Sequence, residues 1–279
     1  MTDYSTAADL QTALAVEALD RNLFRGMNIV GSNDRPALFG GQVAAQALRA
    51  AGLTVDPDRR PHSLHGYFLR PGRADSPVIL EVDRDRDGGS FSARHVAAIQ
   101  DGEVIFSMLA SFQLMRGDAT ARLDRSEQRP RDISFDEAPE REGLLLEMRE
   151  LVPTTTVGTR IQYSDHLAVR SATPLDDDPL THACALLYIS DLSSGFGQVS
   201  VPGLGTGGPS LDHALWFQEP VRADDWVTLE LSPTKAADRR GLYSGAIRSL
   251  DGNLAAVLAQ EILLRGPGPD PEQVEKAEQ

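Results

Sequence analysis

The sequence holds a single cysteine, Cys184, in 279 residues. One thiol excludes a disulfide framework and a cysteine-built metal site. Its setting, Ala-Cys-Ala-Leu-Leu-Tyr, marks it as a small buried hydrophobe. Basic charge is also scarce: 27 Lys and Arg against 41 Asp and Glu give a net charge of −14 and a pI of about 4.8. That balance argues against nucleic acid or an anionic membrane as partner, and an anionic ligand needs a local arginine cluster. No apolar run approaches the ~20 residues of a membrane span. The opening MTDYSTAADLQTALAVEALD lacks the basic start and apolar core of a signal peptide, and the closing KAEQ matches no anchor or address. The expected location is cytoplasmic. There is no P-loop, no H-E-x-x-H and no cysteine pair, so neither a metal nor a cofactor is expected. GLGTGG (203–208) has the spacing of a dinucleotide site, but Pro209 and a strand follow where a helix is required. It is expected to be a loop.

What is present is an internal repeat. YFLRPGRADSPVILEV (67–82) recurs as WFQEPVRADDWVTLEL (216–231), with Phe68 and Phe217 standing 149 positions apart. At that offset Pro71/Pro220, Arg73/Arg222, Ala74/Ala223, Asp75/Asp224, Val78/Val227, Leu80/Leu229 and Glu81/Glu230 match. The period is too long for a solenoid or propeller unit. It describes two copies of one small fold in tandem, and 41% hydrophobic residues suffice for their cores.

Each copy reads as a helix followed by strands. In the first, GGQVAAQALRAAG (40–52) sets Val43, Ala47 and Ala50 on one stripe with Gly52 as the stop. Strands follow at 65–69, 76–82, 91–98 and 104–114, with Asp101-Gly102 turning the last hairpin. The second copy has a helix near 180–192, then strands near 211–217, 226–232, 241–249 and 254–264, with Asp251-Gly252 as its final turn. This is an α+β fold made twice: a unit over 10–115, a linker over 116–155 with a helix at 140–151, a unit over 156–265, and a disordered tail over 266–279.

The copies differ where chemistry is to be sought. In LAAVLAQEILLR, period-two alternation puts Gln260 on a face with Leu254, Ala256, Leu258, Ile262 and Leu264. An unpartnered amide there costs roughly 1–3 kcal/mol, and the first copy has Ala110 at that position. The plainer reading is a glutamine bonding buried backbone. Asp191 closes the second helix within an apolar stretch, against the helix dipole, which raises its basicity if it is desolvated. Alternatively it bonds the hydroxyls of Ser193 or Ser194. Ser210 opens SLDHALWF where the first copy has Pro61; by itself it reads as a turn residue. Asp212 and His213 point to opposite faces of a strand and read as surface or structural. His62 and His65 in PHSLHGYF are read as facing one side.

GGQVAAQAL, HSLHGYFLRPG, GGSFSARHVAAIQDG, ISDLSSGF, SLDHALWF and AQEILLR, in this order, closely resemble the acyl-CoA thioesterase II family from about Leu10 to Arg265. The resemblance implies a tandem double hotdog, each unit a curled antiparallel sheet around a long helix, and hydrolysis of acyl-CoA thioesters. It places the family's catalytic residues on Asp191, Ser210 and Gln260, and a further active histidine in the HSLH segment, with His65 taken as the substrate-binding candidate. The chain departs from the bacterial pattern in 159–180, which is shortened and lacks a W-x-R strand.

On that basis Asp191 is expected to act as base on a water held by Ser210 and Gln260, with backbone N–H groups of Gly40, Gly41 and Gln42 receiving the oxyanion. Arg59-Arg60, Arg84 with Arg86, and Arg239-Arg240 are the candidates for the CoA phosphates. A hotdog hydratase or dehydratase and a non-catalytic acyl-CoA-binding module are the alternatives. A homo-dimer is expected, with a tetramer next.

Overall fold

The computed structural model describes residues 9–28, 37–115, 135–141, 143, 145–157, 160–193, 195–197, 199 and 208–264. The expected disordered tail and all of GLGTGG but Gly208 lie outside them. The elements are α1 (Leu10–Leu14), β1 (Val16–Asp20), β2 (Leu23–Gly26), α2 (Gly40–Gly52), β3 (Arg59–Phe68), β4 (Val78–Asp87), β5 (Phe91–Gln100), β6 (Glu103–Leu114), β7 (Glu140–Arg141), β8 (Leu146–Glu150), β9 (Thr155–Val157), β10 (Arg160–Gln162), β11 (His166–Ser171), α3 (Pro179–Ser190), β12 (Asp212–Phe217), β13 (Val227–Ala237), β14 (Arg240–Ser249) and β15 (Leu254–Leu263).

Thirteen strands form one antiparallel sheet in the order β1-β2-β4-β5-β6-β3-β12-β15-β14-β13-β11-β8-β7. The two copies join at β3–β12, where Asp212 faces Tyr67 and Trp216 faces Ser63. The repeat is visible in the structure. Arg73 binds Asp75 through two hydrogen bonds of 3.0 Å, and Arg222 binds Asp224 through two of 2.9 Å. Ala74 and Ala223 between them are both buried.

Alanines on α2 allow close helix packing, and α2 and α3 run antiparallel against each other. At one end Arg49 of α2 bonds the α3 N-cap Asp178 (2.6 Å) and Thr181 (3.1 Å). A side chain added at Gly52 would strike Leu180 there. At the other end, one added at Gly41 would meet the Tyr188 carbonyl, and one at Gly40 the Asp191 carboxylate. Asp178 caps α3 by accepting from the Leu180 N–H at 3.0 Å, ahead of Pro179 at the first helical position. The α2 N-cap, Phe39, supplies no such bond. Both helices share a single hydrophobic core.

One expected helix is not there. Within 140–151, β7 and β8 are strands, and β8 pairs with β11. The later part of the stretch expected as linker is therefore built into the sheet. Leu144, Leu145 and Met148 suit a helical stripe, but Leu146 and Met148 also alternate with Glu147 and Arg149. A run this short satisfies both periods, and the edge of β11 decides between them. β11 is itself the opening strand not visible in 159–180; it is buried nearly throughout, so it shows no alternation.

The hairpins also differ. Asp101 and Gly102 (φ 49° and 77°) make a two-residue turn, whereas 250–253 form a longer turn with only Gly252 at positive φ. Asp238 and Arg239 (φ 50° and 61°) make a tight turn without glycine between β13 and β14.

The first unit buries Arg94, which bonds Thr54 Oγ1 (2.8 Å), the Thr54 carbonyl (3.0 Å), the Arg86 carbonyl (3.0 Å) and Asp87 (2.6 Å). This guanidinium holds the Asp87 carboxyl below the usual carboxylate range. Arg94→Met keeps the apolar stem but leaves the buried Thr54 hydroxyl and carbonyl without this donor. It is expected to lower stability in urea unfolding by about 1–3 kcal/mol.

Candidate active site

Three positions singled out by divergence between the copies meet at the carboxyl end of α3. Asp191 is the C-cap of that helix. Ser210 is held ahead of β12 by a bridge to Ile262. Gln260 projects inward from β15, buried with Leu258 and Ile262. The Gln260 Nε2 group donates to Asp191 Oδ1 (2.9 Å) and lies 2.6 Å from Ser210 Oγ, and Ser210 Oγ donates more weakly to Asp191 Oδ1 (3.4 Å). The Gly41 N–H of the first unit also donates to the Asp191 carboxylate. Asp191 thus caps α2 from outside its own unit, at the positive end of that helix's dipole. The site belongs to both copies.

Two further residues complete it. His213 is buried on β12, its Nδ1 against Gln260 Oε1 and its Nε2 2.8 Å from Ser190 Oγ. Asp212 and His213 face opposite ways, as alternation requires; of the two expected readings, surface or structural, His213 takes the structural one, within the site. His213 shares a face with buried Leu215, the same signal that marked Gln260. Tyr243 stands opposite Gln260 in the β14–β15 ladder, and its hydroxyl reaches the Ser193 carbonyl at 3.4 Å. In the first unit the facing pair is Ala110 and Arg94. Asp191 does not bond Ser193, which instead donates to the Ser164 carbonyl.

Other candidates sit elsewhere. His65 pairs with Asp212 (2.9 Å) on the outer face, away from Asp191. His62 bonds Ser111 (2.8 Å) and packs on exposed Phe91, and the bulge between Pro61 and Ser63 turns it to the same outer face as His65. The Gln42 side chain donates to the Met27 carbonyl and its N–H to the Phe39 carbonyl, so it is structural. Gly41 gives its N–H to Asp191, which leaves Gly40 at the tip of α2. Arg240 is tied to Glu261 (2.8 Å), Arg59 to the Gly88 carbonyl and Arg84 to Asn22. Arg239 lies in a turn whose carbonyl accepts from Leu264, next to the Leu263 N–H bond to Pro209. Among the described residues no cluster of three His, Cys, Asp or Glu side chains could hold a metal, and no helix is long and apolar enough to cross a membrane.

Residues 31–113 match the acyl-CoA thioesterase N-terminal domain and residues 155–264 the acyl-CoA thioesterase C-terminal domain. The chain belongs to the acyl-CoA thioesterase family. It is 33% identical to acyl-coenzyme A thioesterase 8 of Mus musculus, over 91% of this chain and 88% of that one. With acyl-CoA thioesterase 2 of Haemophilus influenzae it shares 32% identity over 90% and 95%. Among solved structures, acyl-CoA thioesterase II TesB2 from Mycobacterium marinum superposes with a TM-score of 0.73 at 37% identity, covering 94% of this chain and 99% of that one. A hot dog fold protein from Alicyclobacillus acidocaldarius superposes at 0.70 with 20% identity, over 94% and 100% of the two chains. The mostly antiparallel sheet with few helices fits the double hotdog arrangement.

Burial pushes the Asp191 carboxyl up from its ordinary range; His213, Gln260, Ser210 and the Gly41 N–H act in the opposite direction. Burial, with Asp191 and Asp212 nearby, lifts the Tyr243 hydroxyl well above its usual range. A raised carboxyl pKa means that folding is favoured below the unfolded value near 4 and disfavoured as pH rises through the folded value. Asp191→Asn is therefore expected to raise or preserve the melting temperature at pH 7, with the difference from wild type vanishing in acid. Its kcat for thioester hydrolysis should fall at least about 10²-fold. Wild-type kcat/KM should fall in acid through a pKa above the ordinary carboxylate range. Gln260→Ala, which on the sequence alone would leave stability unchanged or raised, removes a partner from buried His213. It should lower stability by about 1–3 kcal/mol in denaturant unfolding.

Proposed function

We infer that this chain hydrolyses acyl-CoA thioesters to CoA and free fatty acid. The observation that carries the chemistry is one half-buried carboxylate, Asp191, ringed by an amide, a hydroxyl and a helix N–H. In the proposed mechanism a water held by Gln260 and Ser210 gives a proton to Asp191 as its oxygen adds to the thioester carbonyl carbon. The oxyanion forms beside Gly40 at the amino end of α2. The intermediate collapses with cleavage of the carbon–sulfur bond, and the CoA thiolate recovers the proton from Asp191. A carboxyl raised by burial suits both roles. Ser210 orients water and is not a nucleophile, since His213 turns toward Gln260 and Ser190.

An aspartate–histidine site of the hydratase kind has one observation in its favour, the closeness of His213 to Asp191. Both ring nitrogens are engaged within the protein, however, which supports hydrolysis. The finer fold reading, each sheet curled around a long helix, is part of the proposal, as are a cytoplasmic location and the absence of a cofactor. A homo-oligomer is also proposed. Its support is an outer-face patch at the junction of the copies, where Tyr67, Leu109 and Trp216 are 52%, 54% and 44% exposed. Trp226 takes no part in it and packs on Phe135 under Arg149 and Arg170. Arg239 is the proposed CoA contact, supported by its turn beside Pro209.

Thiol release from acyl-CoA, followed with a chromogenic disulfide across chain lengths, tests the reading. Release is expected, with no loss of the conjugated double bond from an enoyl-CoA; the reverse pattern would indicate a hydratase, and neither a binding module. Cys184 is fully buried and its thiol is pushed up to about 12, so the native enzyme should contribute no thiol signal until denatured. Arg239→Gln should raise KM several-fold with little change in kcat. Light scattering at micromolar concentration should give a mass above the 30.2 kDa monomer.

A further inference from the structure

We propose that His213 is a positioning residue for the hydrolysis, holding the Gln260 amide in the one orientation that directs its N–H groups at Asp191 and Ser210. This rests on the mechanism above and extends it to a residue that touches neither water nor substrate.

The hydrogen-bond directions follow from chemistry alone. The Asp191 carboxylate can only accept, so Gln260 must turn Nε2 toward it, at 2.9 Å. That places Oε1 against His213 Nδ1, and a carbonyl oxygen cannot donate. Nδ1 must therefore carry a proton. The other ring nitrogen, Nε2, lies 2.8 Å from Ser190 Oγ, which is also 2.7 Å from the Leu187 carbonyl. One hydroxyl proton serves two acceptors. If it goes to His213, the ring is neutral with its proton on Nδ1; if it goes to Leu187, Nε2 donates to Ser190 and the ring is a cation. Nδ1 is protonated in both cases, so the grip on Gln260 survives either state.

The consequence is a directed chain from α3 back to α3: Ser190 fixes His213, His213 fixes Gln260, and Gln260 presents donors to Asp191 next to Ser190. Without the ring the amide has no anchor for Oε1 and gains freedom to rotate about its last torsion. A rotated amide aims oxygen at the carboxylate, which repels it and displaces the water. The burial of all three supporting side chains, Ser190 (0% exposed), His213 (1%) and Gln260 (2%), denies bulk water as a substitute partner. An imidazole among aliphatic side chains needs such partners, and these it has in full.

The test is a set of variants assayed by thiol release, with thermal melts on each. His213→Ala is expected to reduce kcat on the order of 10²-fold with KM nearly unchanged, as misplacement of a catalytic group does. His213→Asn can set an amide N–H near the Nδ1 position and should recover part of that loss. Ser190→Ala should reduce kcat less than His213→Ala. The decisive comparison is the double variant His213→Ala with Gln260→Ala. If His213 acts only through Gln260, the double variant matches Gln260→Ala alone. Full additivity would overturn the proposal, as would wild-type kcat in a folded His213→Ala. Should His213→Ala not fold, His213→Asn and Ser190→Ala each combined with Gln260→Ala decide in the same way. Near wild-type kcat in Asp191→Asn would defeat the mechanism itself. An inactive Asp191→Asn with additive His213 and Gln260 effects would defeat this inference alone.

Discussion

The contact between the amino end of α2 and the carboxyl end of α3 governs the rest of the structure. A carboxylate at the end of α3 stands against that helix's dipole. The antiparallel partner reverses the balance, because α2 begins at the same point and has no side-chain cap of its own. Gly40 and Gly41 are required there. An added Cβ would come within 2.6 Å of Asp191 Oδ2 at the first and 2.7 Å of the Tyr188 carbonyl at the second. Two helix ends that would each be unsatisfied alone satisfy one another, and the charge so held is the one the chemistry uses.

The two copies spend equivalent positions differently. At the end of α2 the first unit places Arg94 opposite Ala110, and the guanidinium fills the space with hydrogen bonds to Thr54 and Asp87. At the end of α3 the second unit places Tyr243 opposite Gln260. One end is closed by a side chain that reaches nearby backbone; the other keeps a half-buried aspartate. The ends of the helix pair are therefore alike in fold and opposite in purpose.

Much of this was legible in the sequence. The bounds of α2 follow from a glycine at each end of an alanine-rich stripe, and the strands of both meanders follow from alternation between turn residues. Gln260 and Asp191 stood out because a polar group on an apolar face needs a reason. His213 obeys the same logic on a shorter strand, but beside Asp212 it reads equally as surface or structural. β8 reads as part of a helix because five residues cannot distinguish two periods. β11 was invisible because burial on both sides erases alternation. The family resemblance brings the amino end of α2 to the site, but not its contact with Asp191: residues 150 positions apart across two units leave no local pattern.

The junction of β3 with β12 makes the two halves a fixed couple, and covalent fusion has a consequence for which halves can meet. Were they separate chains, each could pair with its own kind as well as with the other, and two of the three pairings would lack a complete carboxylate–helix match. Joining them raises the effective concentration of the productive partner to the millimolar range or beyond, set by the connecting segment. The mixed pairing is then selected without any contact evolving to reject the wrong ones. Fusion here favours the pairing in which the carboxylate of one half meets the helix end of the other.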